Sequence, residues 1–145
     1  MPMRIEYRED GGVALRCSGF ATGRELIAFN EDIYATPDRT RKLAYQFCDF
    51  SGVTDFTINS EQISVLANQD ERAAKTNPDM LIACVANRDV IYGLLRQWQG
   101  LSARAGLTSM IFRNTEDAEK WVTEMLSARR GGREGSAESQ AGAGE

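Results

Sequence analysis

Residues 42–50 read KLAYQFCDF, a nearly continuous apolar and aromatic run that decides the fold prediction. A second run of this kind, MLIACVA, occupies residues 80–86. Such runs are typical of strands that are covered on both faces, as in parallel sheets. Between them, residues 60–76 carry apolar side chains at helical spacing, with Ile63, Leu66, Ala67 and Ala74 on the inward side. We therefore predict two central parallel strands joined by a helix.

A β-hairpin is predicted on the N-terminal side. Residues 3–8 and 13–18 alternate apolar and polar side chains, and EDGG between them signals a tight turn because glycine accepts a positive φ. A helix over residues 22–35 follows. Thr22 and Glu25 have the spacing of a capping box, and Pro37 is expected to end the helix.

Three further segments complete the predicted order on the C-terminal side. Residues 89–106 form the clearest helix, which Asn87 or Asp89 can cap, and residues 108–113 form a last strand. A last helix over residues 115–128 begins with Thr115 as its predicted cap.

The order ββαβαβαβα predicts an α/β fold. It comprises a five-stranded mixed sheet, made of an N-terminal hairpin and then parallel strands, flanked by four helices. Residues 1–128 are predicted to form this single domain. Residues 129–145 contain Gly, Ala, Ser, Gln, Glu and Arg but no large apolar residue, so we predict a disordered tail.

Charge and hydropathy exclude several classes of function. The net charge of −4 argues against general nucleic-acid binding, which needs a basic face. No apolar run approaches the roughly 20 residues that a membrane-spanning helix needs. Charged residues occur within the first ten, which do not resemble a signal peptide, so a cytoplasmic protein is expected.

The cysteines and the missing histidine point away from catalysis. Cys17, Cys48 and Cys84 each lie in an apolar run and are predicted to be buried free thiols. The 145-residue chain contains no histidine, which removes Ser-His-Asp and Cys-His systems and most zinc sites. We predict no metal, no cofactor and no enzymatic activity.

The stretch DFSGVTDFTINSEQI, residues 49–63, carries the first candidate site. Asp49 and Ser51 are predicted at the end of a central strand, where open α/β sheets bind ligands. The alternative is that they only form a turn. Asn59, Ser60 and Glu61 follow at a predicted helix start. They either cap that helix or form a docking edge for a partner, with Ser60 as a phosphate acceptor.

A second group of candidates follows the next strand. Asn87 and Arg88 should lie at the same sheet edge, and Tyr92 and Arg96 lie four residues apart on the outer side of the next helix. These residues form either a contact patch or an ordinary solvated face. Gln46, a polar residue inside an apolar run, must find hydrogen-bond partners or mark a polar point in a cavity.

Three phrases resemble a known family: YQFCDFSGVTDFTIN, IACVANRDVIYGLLRQW and MIFRNTEDAEKWV. Together with the order of elements, they are similar to the SpoIIAA-like group of bacterial proteins over about residues 3–128. This group shares the STAS fold of anti-anti-sigma factors and is related to CRAL-TRIO lipid-transfer domains. The resemblance implies regulation by protein contact, or binding of an apolar ligand.

The resemblance does not carry over a phosphorylation switch. In anti-anti-sigma factors the strand ends in a phrase like Asp-Leu-Ser-Gly-Val, which residues 49–53 match. A helix then opens with Asp-Ser-Ser-Gly, whose second serine a partner kinase phosphorylates. Here Asn59 and Ser60 fall at the first two positions, Glu61 at the phosphorylated one, and Gln62 replaces the glycine.

Two hypotheses of function follow. The first is a non-enzymatic STAS-like interaction module with an unidentified protein partner and an undefined pathway. The second is a carrier or sensor of a lipid or other apolar small molecule. A homodimer is compatible with both, and no positive feature of the sequence supports an enzyme.

Overall fold

A computed structural model describes the backbone of residues 3–143 and, within that range, all side chains except those of Ala105 and residues 132–143. These residues form five strands, five α-helices and one short 3-10 helix. In chain order they are β1 (Met3–Tyr7), β2 (Gly12–Thr22), α1 (Gly23–Ile33), α2 (Pro37–Lys42), β3 (Tyr45–Thr57), α3 (Ser60–Thr76), β4 (Leu81–Val85), α4 (Asp89–Ser102), the 3-10 helix (Ala103–Ala105), β5 (Thr108–Phe112) and α5 (Thr115–Ala143).

The strands form one mixed sheet in the order β1-β2-β3-β4-β5. β1 and β2 pair antiparallel across the predicted turn, where Gly11 has a φ of 90°, a conformation that costs glycine little. The pairs β2–β3, β3–β4 and β4–β5 are parallel. The predicted α/β class, a hairpin followed by parallel strands, is confirmed.

Side chains of the central strands alternate between two cores, one on each face of the sheet. On the helix-rich face, α1, α3 and α4 pack against Leu15, Cys48 and Ile82. On the opposite face, the α5 face, helix α5 packs against Phe47 and Ala83. Successive strand side chains point to opposite faces. Because helices cover both faces of the sheet, both sets of side chains are mostly apolar, and the apolar runs are nearly continuous.

The helices number five rather than the predicted four. The capping box of Thr22 and Glu25 begins α1 as predicted, but α1 already ends at Ile33. Pro37 then opens the additional short helix α2, for which Thr36 is the N-cap. Proline suits a first helical turn because its φ is fixed near the helical value and its missing N–H has no intrahelical partner there.

Two predicted caps are wrong. Helix α4 begins after Arg88, which makes no side-chain capping bond, so neither Asn87 nor Asp89 is the cap. At α5, the Asn114 Oδ1 atom accepts a hydrogen bond from the Asp117 backbone N–H at 2.8 Å. Asn114 therefore takes the capping role predicted for Thr115. Each helix still begins within one residue of the predicted position.

Helix α5 runs to Ala143 and so passes the predicted domain boundary at residue 128. The backbone of residues 129–143 is helical. The disordered tail predicted for residues 129–145 stays a prediction, and its last two residues lie outside the described part. The buried contacts of α5 come from Ala118 and Val122, which precede that boundary. A folded domain confined to residues 1–128 remains a prediction.

The cysteines lie where the sequence placed them. Cys17, Cys48 and Cys84 are free and buried. Burial raises the pKa of the Cys17 thiol well above its ordinary value, so this thiol stays protonated at neutral pH. Separately, none of the helices within residues 3–143 has the length and apolar character needed to cross a membrane.

Candidate functional site

Strand β3 is longer than predicted, so Asp49 and Ser51 lie within the strand rather than at its end. The apolar run predicted an end at residue 50, but β3 spans Tyr45–Thr57. Asp49 pairs with Arg16 of β2 and with Val85, the last residue of β4. The strand end predicted near residue 50 and the alternative of a turn at Asp49 and Ser51 are therefore both wrong.

A β-bulge explains how turn-forming residues fit inside this strand. The pairing of β3 with β2 passes from Asp49–Arg16 directly to Gly52–Ser18, so β3 contains an extra residue. Asp49 Oδ1 accepts hydrogen bonds from the Ser51 backbone N–H at 2.9 Å and from Ser51 Oγ at 2.6 Å. Hydrogen bonds that an aspartate side chain accepts from the second residue after it are typical of turns, and here they stabilise a bulge.

Beyond the bulge, β2 and β3 continue as a two-stranded ribbon that β4 does not accompany. Asn59, Ser60 and Glu61 follow its tip. About eight strand residues separate Asp49 from the ribbon end, a span of up to about 26 Å. The alternation of β3 also places Asp49 on the α5 face, whereas α3 lies on the other. The nine predicted residues therefore do not form one compact site.

Asn59 and Gln62 form the capping box of α3. Asn59 Oδ1 accepts from the Gln62 backbone N–H at 2.8 Å, and Gln62 Oε1 accepts from the Asn59 backbone N–H at 3.0 Å. Asn59 thus has the structural role proposed for it. Ser60 and Glu61 are exposed, and neither side chain forms a hydrogen bond or ion pair within the described residues.

Arg88 connects the start of α4 to the ribbon. Its Nη1 atom donates a hydrogen bond to the backbone carbonyl of Thr54 at 2.8 Å, although the side chain is exposed. Asn87 is exposed beside it. The structure therefore brings the predicted residues after β4 next to the ribbon, at the same end of the molecule as α3 begins.

Tyr92 contacts Arg113 rather than Arg96. The guanidinium carbon of Arg113 lies 3.9 Å from the centre of the Tyr92 ring, a cation–π contact. Arg113 also pairs with Asp89, with an Nη1–Oδ1 distance of 2.8 Å. Arg96 instead donates to Gln99 Oε1 at 3.3 Å. The arginine over the tyrosine thus comes from the end of β5, which helical spacing could not predict.

A buried polar network under the helix-rich face escaped the sequence prediction. Its centre is Asp70 of α3, which is 4% exposed. Three side chains donate to its carboxylate: Trp98 Nε1 to Oδ2 at 2.8 Å, Tyr34 Oη to Oδ1 at 2.8 Å, and Asn30 Nδ2 to Oδ1 at 3.2 Å. Among the described residues, no arginine or lysine pairs with it.

Burial raises the pKa of Asp70 to about 7, although the hydrogen bonds that it accepts act in the opposite direction. Two titratable groups lie beside it. The pKa of Tyr34 is raised by burial and by Asp70, and the pKa of Cys48 is raised by its hydrogen bond with Cys84 and by burial. Both stay neutral near pH 7, so Asp70 is the group whose charge changes.

Gln46 extends this network to the sheet. Its Nε2 atom donates to Tyr34 Oη, and its Oε1 atom accepts from Cys48 Sγ at 3.7 Å. Gln46 also borders a cavity. The expectation that a polar residue in this apolar strand finds partners is confirmed, and here the partners adjoin a cavity.

The cavity has a volume of about 70 Å³ and lies between the sheet and helices α1, α3 and α4. Its polar end is formed by Asn30, Gln46 and Asp70, and most of its other lining side chains are apolar. The half-buried members of this lining come from the ribbon, from the residue that follows it by one position, and from α4: Phe56, Ile58, Leu94 and Leu95.

The signal for Asp70 was present in the sequence. Ile63, Leu66, Ala67 and Ala74 were predicted to face inward from α3, and all four are buried. Asp70 falls on the same helical stripe, three residues after Ala67 and four before Ala74. A carboxylate on a buried stripe demands hydrogen-bond donors. The donors come from other helices and could not be identified by spacing.

No protein-family model and no curated protein matches the sequence significantly. Among solved structures, the chain is similar to the anti-sigma factor antagonist SpoIIAA in its unphosphorylated form, with a TM-score of 0.50 and 11% identity over 89% of this chain and 98% of that one. It is also similar to an uncharacterized DUF3478-family protein with a SpoIIAA-like fold from Shewanella loihica PV-4, with a TM-score of 0.48 and 15% identity over 83% and 91%. At such identities the likeness shows the fold alone. The chain has the predicted SpoIIAA-like, STAS-type fold.

Proposed function

We propose that this chain is a non-enzymatic, cytoplasmic regulatory module that works by binding a protein partner. Its docking surface is the α3–α4 edge, formed by Ser60, Glu61, Arg88, Tyr92 and Arg96. The observation that carries the proposal is the free first turn of α3. The capping box of α3 is formed by Asn59 and Gln62. The side chains of Ser60 and Glu61 form no hydrogen bond or ion pair in the described part of the chain.

Two further features support a protein as the partner. The solved SpoIIAA chain is described as an anti-sigma factor antagonist, which is a protein-directed role. In this chain, apolar side chains are exposed at the same end of the fold: Val90 in the first turn of α4 is 77% exposed, and Phe20 of the ribbon is 54% exposed. Apolar groups among charged ones are common at protein interfaces.

The test is affinity capture with purified variants. The double change Glu61→Ala with Arg96→Ala should lower capture of the partner by about tenfold or more. The matched control is Glu116→Ala with Lys120→Ala, an exposed acid and base on α5. Both variants should melt close to the parent chain because exposed substitutions usually shift stability by less than about 0.5 kcal/mol. Equal capture by the two variants contradicts the docking surface.

The second candidate is a sensor of a small apolar molecule, which the cavity beside Asp70 favours. Its volume of about 70 Å³ is far below the several hundred Å³ of a typical ligand site, so it does not fit a lipid chain. Native mass spectrometry of protein from its own cells, repeated after denaturation, tests this function. An adduct lost on denaturation supports it, and a clean mass contradicts it.

The same spectra report on two other expectations. A doubled mass would show the homodimer that the fold allows. A covalent increase of one phosphate would identify phosphorylation, for which Ser60 is the exposed candidate and Ser51, bonded to Asp49, is the less accessible one. Neither result bears on the cavity, so the three readouts stay separate.

A further inference from the structure

The cavity beside Asp70 has an unusual combination of properties. It is bordered mostly by apolar side chains, yet a carboxylate that is 4% exposed forms part of its lining. Other buried polar side chains at the cavity, such as Asn30 and Gln46, are uncharged amides. Buried carboxylates are normally paired with a cation or a metal. Within the described residues, Asp70 has only neutral donors.

The carboxylate retains capacity for one more donor. Its two oxygens offer about four acceptor positions. Trp98, Tyr34 and Asn30 use three of them. The amide of Gln46 also lowers the pKa of Asp70, but no hydrogen bond within normal distance joins the two side chains, and the Gln46 Nε2 atom donates to Tyr34 Oη instead. A fourth donor from a molecule in the cavity would complete the set.

We infer that the cavity binds a small aliphatic primary amine, whose ammonium group pairs with Asp70 and whose apolar chain fills the space toward Phe56 and Leu95. This assignment rests on the second proposed function, a sensor of a small molecule. The ammonium group supplies both the missing donor and the missing positive charge. The rings of Phe29, Phe50 and Trp98 also line the cavity, and aromatic rings attract a nearby cation.

The volume limits the size of the amine. A single water needs about 10–15 Å³ measured in the same way, so about 70 Å³ holds roughly five water-sized groups. An amine with about five to seven non-hydrogen atoms fits this space. Isopentylamine is therefore a suitable probe, and isopentanol, of the same shape but neutral, is its matched control.

The indole N–H signals of the chain provide a site-specific readout by NMR. The chain has two tryptophans. Trp98 Nε1 donates to Asp70, whereas Trp121 packs on the α5 face beside Phe112. Titration of each probe at about pH 8, where Asp70 is ionised, should shift the Trp98 signal and leave that of Trp121 in place.

We expect isopentylamine to bind about tenfold more tightly than isopentanol. This preference should disappear in Asp70→Asn. It should persist in the control variant Asp55→Asn, which changes an exposed aspartate of the ribbon. Should Asp70→Asn fail to fold, the amine–alcohol comparison in the unaltered protein decides alone. Equal binding of both probes overturns the amine assignment but leaves the sensor function standing. No shift of the Trp98 signal with either probe overturns both.

Discussion

The two faces of the sheet differ in where a charged side chain lies and in what it is paired with. On the α5 face, the charged side chain of Arg8 lies at the periphery of the core and is 18% exposed. It reaches Glu119 of α5 with an Nη2–Oε1 distance of 2.9 Å, and its guanidinium lies 5.1 Å from the ring of Phe47. On the helix-rich face, Asp70 is buried in the core, and no arginine or lysine in the described part of the chain pairs with it.

The difference agrees with the ligand site proposed on the helix-rich face. An arginine at the edge keeps contact with both water and its acidic partner, so its burial costs little. A carboxylate at the centre of a core loses its hydration and recovers only part of that free energy from neutral donors. Local conflicts of this kind are expected where a fold serves a function rather than its own stability.

The largest predicted effect compares two phenylalanines of β3. Phe47 is 0% exposed on the α5 face, whereas Phe56 is half-buried and already borders the cavity. Phe47→Ala should lower the free energy of unfolding by about 3–5 kcal/mol, because it removes a close-packed ring. Phe56→Ala should cost roughly 1–2 kcal/mol, since less surface is buried there. Urea unfolding measures both, and equal losses would show that the two faces are packed alike.

The second prediction concerns the pH dependence of stability. The pKa of Asp70 rises from 3.8 when solvated to about 7 in the folded chain. The folded state therefore holds a proton that the unfolded state releases. This stabilisation is complete below about pH 4, declines as the pH rises toward 7, and is lost above it. A shift of about three units corresponds to an effect on the order of 4 kcal/mol.

Asp70→Asn tests this dependence because asparagine does not titrate. The stability advantage of the unaltered chain over Asp70→Asn should shrink steadily between about pH 4.5 and pH 7, then level off. Groups common to both chains cancel in this difference. Tyr34 and Cys48, the titratable neighbours, remain neutral in that range because their pKa values are raised. Parallel stability curves across the whole range would contradict a titrating Asp70.

The smallest predicted effect compares two arginines. Arg8→Met should lower the free energy of unfolding by about 1–2 kcal/mol, because Arg8 bonds Tyr45 and Glu119 while partly buried. Arg96→Met, at an exposed position on α4, should change it by less than about 0.5 kcal/mol. Thermal melts at low and high salt provide the measurement. Only the Arg8 loss should diminish with salt, since screening weakens the ion pair that it removes.

The structure brings together only some of the residues that were predicted to form a functional site. The sequence identified the end of the fold at which Ser60, Glu61 and Arg88 lie exposed. It also placed Asp49 in the same group, although the long β3 strand and its alternation put Asp49 on the other face. The sequence suggested a chain reversal here because residues that signal a turn can equally stabilise an extra residue within a strand, as in the bulge at Ser51.

The sequence by itself determined the features that depend on local periodicity. It determined the hairpin, the parallel strands, the buried stripes of the helices and the capping box at Thr22, because each follows from neighbouring residues along one element. Only the tertiary structure decided which side chains meet. Asn30, Asp70 and Trp98 belong to three different helices, and their contact depends on how those helices pack on one sheet face. Spacing along the chain carries no information about such partners.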